Sequence, residues 1–236
     1  MQCLYFNYVE IKYGGVKLVD NLFWDRMIFR GISEESKNAI ENMHMVERSY
    51  NANDLVMKEG EAIESIGIII SGALKATEYT AGGKELNSSY YFGGDAFPFY
   101  LVYGNIENYF SDTYALKKSK VVWLKVEELI PIIDNDQVFL HNILRFVAEY
   151  CCYSKLIIRC TQYRKVIERL SFWLLHIKNP DEPINIPNSQ EVLADILHVN
   201  RSSLNQELKL LENEGVIIMD RKKIKVLNKS YLVDLL

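Results

Sequence analysis

The apolar positions of this chain change period several times, and each change predicts an element. Residues 21–49 space their apolar side chains as helical pieces, with Ser33 placed to cap "EESKNAIENM". The capping box there is incomplete, because Ser36 stands where Glu or Gln would complete it. From about 50 to 126 the texture turns to short β-rich runs between glycines: "IGIIISG", "ALKATEYT", "AGGKELNSSYYF", "GGDAF" and "VVWLKV". Turn signals arrive roughly every 8–12 residues, the spacing of a small β-sandwich or barrel. Glycines 60, 72, 82, 83, 93 and 94 are placed to take positive φ at its corners.

Helical spacing returns after the β region. Residues 127–133 predict a short helix with Pro131 inside or ending it, and 136–160 a long one. The long helix carries two rows. Leu140, Leu144, Val147, Cys151, Ser154 and Ile158 follow the alternating four- and three-residue steps of a two-helix seam. Phe139, Ile143, Phe146, Tyr150, Tyr153 and Ile157 form the other. One row would face the β-domain and the other a partner helix; the alternative is a helix buried on both sides within its own domain. A further helix spans about 163–177. A proline-rich loop follows, with a short strand at Ile184–Ile186.

The pattern is most informative near the end. Asn188 or Ser189 would cap "QEVLADI", with Glu191 completing a box on Asn188. "LHV" makes a turn, Asn200 caps "RSSLNQELKLLENEG", and Gly215 stops that helix. Leu204, Leu208 and Leu211 must face a core, which leaves Arg201, Ser202, Asn205, Gln206 and Lys209 outward. Arg can fork onto guanine, Asn and Gln onto adenine, and Lys or Ser can meet phosphate or base edges. "VIIMDRKKIKVLN" then predicts two short strands around a basic tip, Arg221, Lys222 and Lys223. The candidate DNA contacts are therefore Ser189, Gln190, Asn200, Arg201, Ser202, Ser203, Asn205, Gln206, Lys209, Arg221, Lys222 and Lys223.

Composition narrows the function classes. The 236 residues suffice for two domains, and 49% hydrophobic with 25% charged residues fits a globular chain. The net charge of −4 is uneven: residues 1–162 hold 16 Lys+Arg against 21 Asp+Glu, residues 163–236 hold 11 against 10. An anionic partner is thus less repelled by the C-terminal third. No apolar run approaches a membrane span, and "MQCLYFNYVE" lacks the signal-peptide pattern, so a cytoplasmic protein with no membrane partner is expected. Cys3, Cys151, Cys152 and Cys160 do not form a disulfide framework; buried or incidental thiols are expected over a thiol switch. An enzyme such as a cupin-like metal oxygenase is the rival class, but His44, His141, His176 and His198 all lie outside the β region. No catalytic residue, metal or cofactor is assigned.

At "LADILHVNRSSL…LKLLENEGVI" the chain resembles the Crp/Fnr family of bacterial transcription regulators. "LFWDRMIFRGISEES", "VMKEGEAIESIGIIISGALK", "GGKEL" and "FGGDAF" resemble its sensor pattern in the same order. The resemblance implies an α+β chain. An N-terminal extension (1–20) would precede a cyclic-nucleotide-binding-like β-roll sensor of jelly-roll type (21–134), a dimerisation helix and hinge (135–162) and a winged helix-turn-helix domain (163–236). It further implies a homodimer on pseudo-palindromic double-stranded DNA, with RNA polymerase as a possible partner.

Departures from the family pattern bear on the signal. The family's cyclic-nucleotide members use an Arg after the "GD" turn, yet residues 93–115 contain neither Arg nor Lys. A buried phosphate with no cation is costly, so cyclic AMP is not expected. A single N-terminal cysteine likewise does not fit an iron–sulfur cluster. The recognition helix has Arg201, Ser202 and Gln206 where many members show Arg, Glu and Arg, which implies a different half-site. His198 stands where Gly is common, in a left-handed position that His tolerates. Tyr91, Phe97, Phe99, Tyr100, Tyr103 and Tyr114 would either line a pocket for an uncharged or aromatic effector or fill the roll as core. The expected function is a DNA-binding regulator, with a cyclic-nucleotide-responsive variant, a metal enzyme and a sensor acting only through protein contacts as alternatives.

Overall fold

A computed structural model describes residues 21–24, 26–83, 85–177, 182–187 and 189–236. The expected extension 1–20 and the candidate cap Asn188 lie outside the described residues. The chain forms two compact units, one ending at Val147 and the other running from Ala148 to Leu236.

The first unit contains α1 (Asn21–Trp24), α2 (Glu34–Asn42), β1 (Met45–Tyr50), β2 (Leu55–Met57), β3 (Ser65–Ser71), β4 (Ala73–Tyr79), β5 (Glu85–Phe92), β6 (Ala96–Phe97), α3 (Phe99–Tyr103), β7 (Asp112–Ala115), β8 (Ser119–Lys125), α4 (Val126–Asn135) and the start of α5 (Gln137–Gln162). Its strands make two antiparallel sheets, in the orders β1-β8-β3-β6 and β2-β7-β4-β5. Alternation sends Ile66, Ile68, Val122 and Leu124 into a layer with Phe23, Phe29, Ile40, Leu129, Ile133, Phe139 and Ile143 from the helices. The residues between them turn the other way. A Cβ on Gly67 would stand 2.7 Å from the Phe97 ring and 3.1 Å from Trp123, so only glycine leaves room for those rings. Tyr91 of one sheet meets Phe97 of the other at 5.2 Å between centroids, closing the roll's interior. Gly72, at φ +110, turns the chain between β3 and β4 where a Cβ would fall 2.5 Å from the Ser119 Cα.

The helical expectation for 21–49 fails at its end. Ser33 does cap α2, accepting from the Ser36 amide at 3.1 Å, but Met45–Tyr50 is a strand. It pairs with β8 from Met45↔Leu124 to Tyr50↔Ser119, a partner some seventy residues away that local spacing cannot reveal. Of the glycines expected at positive φ, 60, 72, 83 and 94 adopt it; 82 and 93 do not.

Asp136 joins two helix starts. Its Oδ1 accepts from the Val138 and Phe139 amides, each at 3.0 Å, and its Oδ2 from the Ser33 amide at 2.8 Å and the Ser36 hydroxyl at 2.7 Å. One carboxylate therefore caps α5 and braces α2. Burial works to raise its pKa, but these donors outweigh it and hold the group at about 2.

The second unit packs the C-terminal part of α5 with α6 (Val166–His176), β9 (Ile184–Asn185), α7 (Gln190–Ile196), α8 (Arg201–Asn213), β10 (Ile217–Asp220), β11 (Lys223–Val226) and α9 (Lys229–Asp234). Its core gathers Leu156, Cys160, Leu170, Trp173, Leu193, Leu204, Leu208, Leu211, Ile224 and Leu232 around the antiparallel sheet β10-β11-β9. The two rows of α5 divide as follows. Phe139 and Ile143 are buried in the first unit, Tyr153 and Ile157 pack on the second core, while Leu144 and Ile158 are 65% and 60% exposed. No helix of the described residues is long and apolar enough to cross a membrane.

Candidate nucleic-acid interface

Local chemistry builds α7, the turn and α8. Ser189 caps α7, accepting from the Val192 amide at 3.2 Å. Leu197 ends it, and His198 sits at φ +53, the left-handed position expected of it. Asn200 Oδ1 caps α8, accepting from the Ser202 amide at 2.8 Å and the Ser202 hydroxyl at 2.7 Å. Gly215, at φ +66, follows the end of α8.

Leu204, Leu208 and Leu211 are at most 2% exposed, which anchors one side of α8. Arg201, Ser202, Gln206 and Lys209 are exposed on the rest of it; Ser203 and Asn205 are half-buried. The Asn205 Oδ1 is covered and has no hydrogen-bond partner among the described residues, so a bidentate adenine contact needs a rotamer change. Asn200 and Ser202 already spend polar groups on the cap. Arg201 lies 3.8 Å from Glu191, an exposed pair that adds little stability. Ser189 and Gln190, at the start of α7, are half-buried.

The basic tip forms a two-residue turn, Arg221–Lys222, between Asp220 and Lys223. Arg221, Lys222 and Lys223 are all exposed. Arg221 takes φ +52, a conformation that costs a residue with a Cβ about 1–2 kcal/mol.

Sequence spacing missed Arg169. Its guanidinium, on α6, donates to the main-chain oxygens of Tyr163, Leu197 and His198 at 2.8, 3.0 and 2.8 Å. No local pattern marks it, because its acceptors lie up to 29 residues away.

The six candidate pocket residues occupy different surroundings. Tyr91 and Phe97 are buried inside the roll, where Phe97 also meets Trp123 edge-on at 5.5 Å and Trp123 Nε1 donates to the Tyr50 hydroxyl at 3.1 Å. Phe99 points to the helix layer and meets Phe146 at 6.4 Å. Tyr103 stacks on Phe99 yet is 41% exposed, and Tyr100 packs edge-on against Phe110. Tyr114 donates to Asp112 at 3.0 Å.

The candidate seam is the open side of α5. Leu140, Leu144, Cys151 and Ile158 are exposed, and Val147 and Ser154 are half-buried. Cys152 is exposed as well. Burial pushes the Cys160 thiol up to about 12, which removes its nucleophilic form. Cys3 lies outside the described residues. Among those residues no cluster of His, Cys, Asp and Glu is arranged to hold a metal.

Residues 168–235 match the model of the Crp-like helix-turn-helix domain. No curated protein matches the chain. Among solved structures, FixK2 from Bradyrhizobium japonicum is similar at 17% identity and a TM-score of 0.61, over 81% of this chain and 96% of that one. DNR from Pseudomonas aeruginosa is similar at 16% identity and 0.51, over 94% and 99%. CprK complexed with OCPA is similar at 18% identity and 0.59, over 85% and 94%. Residues 168–235 are thus a Crp-like helix-turn-helix domain, and the chain shares with these structures the fold that sets a β-roll and a long helix ahead of it.

Proposed function

We propose that the chain is a homodimeric, sequence-reading regulator of transcription that acts on double-stranded DNA in the cytoplasm. Residues 163–236 would read the duplex, 135–162 would pair with a second copy, and 21–134 would receive the signal. The observation that carries this is the split face of α8. Its leucines are sealed in the core, while Arg201, Ser202, Gln206 and Lys209 stand exposed, as does the basic turn at Arg221–Lys223. Exposed donors of this kind suit a major groove, and a basic turn suits phosphate.

The dimer reading is supported by Leu144 and Ile158. Burying a large aliphatic side chain gains about 1.5–3 kcal/mol, so exposed Leu144 and Ile158 on one row of α5 favour a second copy. Two-fold pairing then implies half-sites about one helical turn apart. The signal is open. The rings filling the roll favour a packed interior over a cyclic-nucleotide site, as does the lack of Arg and Lys in 93–115. CprK, of the same fold, was solved in complex with OCPA; an effector of this chain would be sought among uncharged or aromatic molecules, because Tyr and Phe dominate residues 90–114. RNA polymerase would be the partner if the bound chain activates.

The test is selection of duplexes from random sequence by the full chain, followed by mobility shift. The expected product is a pseudo-palindrome. Arg201→Ala should weaken binding to it about 10- to 100-fold and relax preference at one position per half-site, with melting temperature unchanged. Enrichment of no sequence, or a chain that stays monomeric at every concentration, would overturn the reading.

A further inference from the structure

Arg169 ties together two places that the DNA-reading function needs to hold in register. Tyr163 is the first residue beyond α5, and Leu197 and His198 form the turn that launches α8. Both lie at the C-terminal ends of helices, where free carbonyls concentrate negative partial charge. The guanidinium fork of Arg169 satisfies both ends at once, Nε donating to Tyr163 and Nη1 to Leu197 and His198. A lysine ammonium, a single point on a flexible stem, would not hold that geometry. Next to it, Phe172 of α6 packs against Tyr163 at 5.2 Å and under the Arg159 guanidinium of α5 at 4.7 Å, so the end of α5 is gripped on a second side. The bonds close on a turn whose His198 takes left-handed backbone, at φ +53.

We propose that Arg169 is a positioning residue that fixes the aim of α8 relative to the end of α5. It thereby sets the half-site spacing a pair of chains accepts. The inference rests on the DNA-reading dimer described above. Two recognition helices must reach successive turns of one groove, about 34 Å apart. A rigid link to the paired helices makes any other separation costly; a loose link lets each helix adjust.

The experiment uses the full chain, wild type and with Arg169→Lys or Arg169→Gln, on the selected duplex. The same duplex with one base pair inserted or removed at its centre, and one with a single half-site, complete the set. The wild type should bind the native spacing about tenfold or more tighter than either altered spacing. Arg169→Lys should keep single-half-site affinity within about twofold while shrinking the spacing penalty by about fivefold. Circular dichroism reports the folded fraction; if the Gln variant fails to fold, the Lys variant decides. An unchanged spacing penalty in a folded variant overturns the proposal, because Arg169 would then serve stability alone. An equal loss on half-site and full site also overturns it, because the reading surface itself would have changed. A wild-type chain with no preferred duplex would remove the DNA-reading function, a separate failure.

Discussion

The β-roll and the helix-turn-helix unit both offered candidate contact residues, and the fold buries three of the first set while exposing the charged members of the second. Phe97 and Phe99 of the roll set are 1% exposed and Tyr91 4%, each locked against other rings. Arg201, Gln206 and Lys209 of the reading set stand in solvent, Arg201 in a loose 3.8 Å ion pair with Glu191. Aromatic residues gain most from burial, so a dense aromatic run is first a packing resource. Exposed Arg, Gln and Lys on a helix anchored by leucine need no partner to be stable. Their exposure leaves them free for a ligand.

Three variants bear on that contrast, in decreasing order of effect. Phe97→Ala should cost about 3–5 kcal/mol in urea unfolding, because it empties the contact among Tyr91, Gly67 and Trp123. Duplex selectivity of the folded fraction should not change. A cost under about 1 kcal/mol would mean the roll has free volume, and the pocket reading would regain ground.

Asp136→Ala should cost about 2 kcal/mol at neutral pH, since it uncaps α5 and unbraces α2 together. The folded carboxyl titrates at about 2, below its unfolded value near 3.9. Its contribution is therefore complete above about pH 4 and is lost as pH falls toward 2. Urea midpoints of wild type and variant should converge across that window; parallel curves would exclude the capping account.

Arg221→Gly should do two opposite things. Releasing the left-handed strain, less the entropy of an added glycine, should raise stability by up to about 1 kcal/mol. Losing one cation should lower affinity for any duplex and reduce the salt slope by about one. Stability that rises with no change in salt slope would detach the basic turn from DNA.

The long helix shows where sequence reading stops. Its two rows were visible from spacing, but nothing in the spacing says which row is buried. Phe139 and Ile143 are inside because helices and a sheet come together over them, and Leu144 stays out because none does. Met45–Tyr50 misled in the same way: the residues accept helix or strand, and β8 decides. Asn205 reads as a plain outward contact until its covered Oδ1 is seen.

What the sequence determined alone is the helix-turn-helix and its limits. Asn200, Ser189 and Gly215 act on atoms two or three residues away, and the leucines repeat within one helix, so the signals that start, stop and orient these helices are local. What the tertiary structure decided is which row of α5 lies open, which side of β6 each aromatic residue takes, and where Arg169 spends its donors. Those outcomes depend on segments tens of residues apart meeting in space, and neither hydrophobic period nor capping chemistry carries that information.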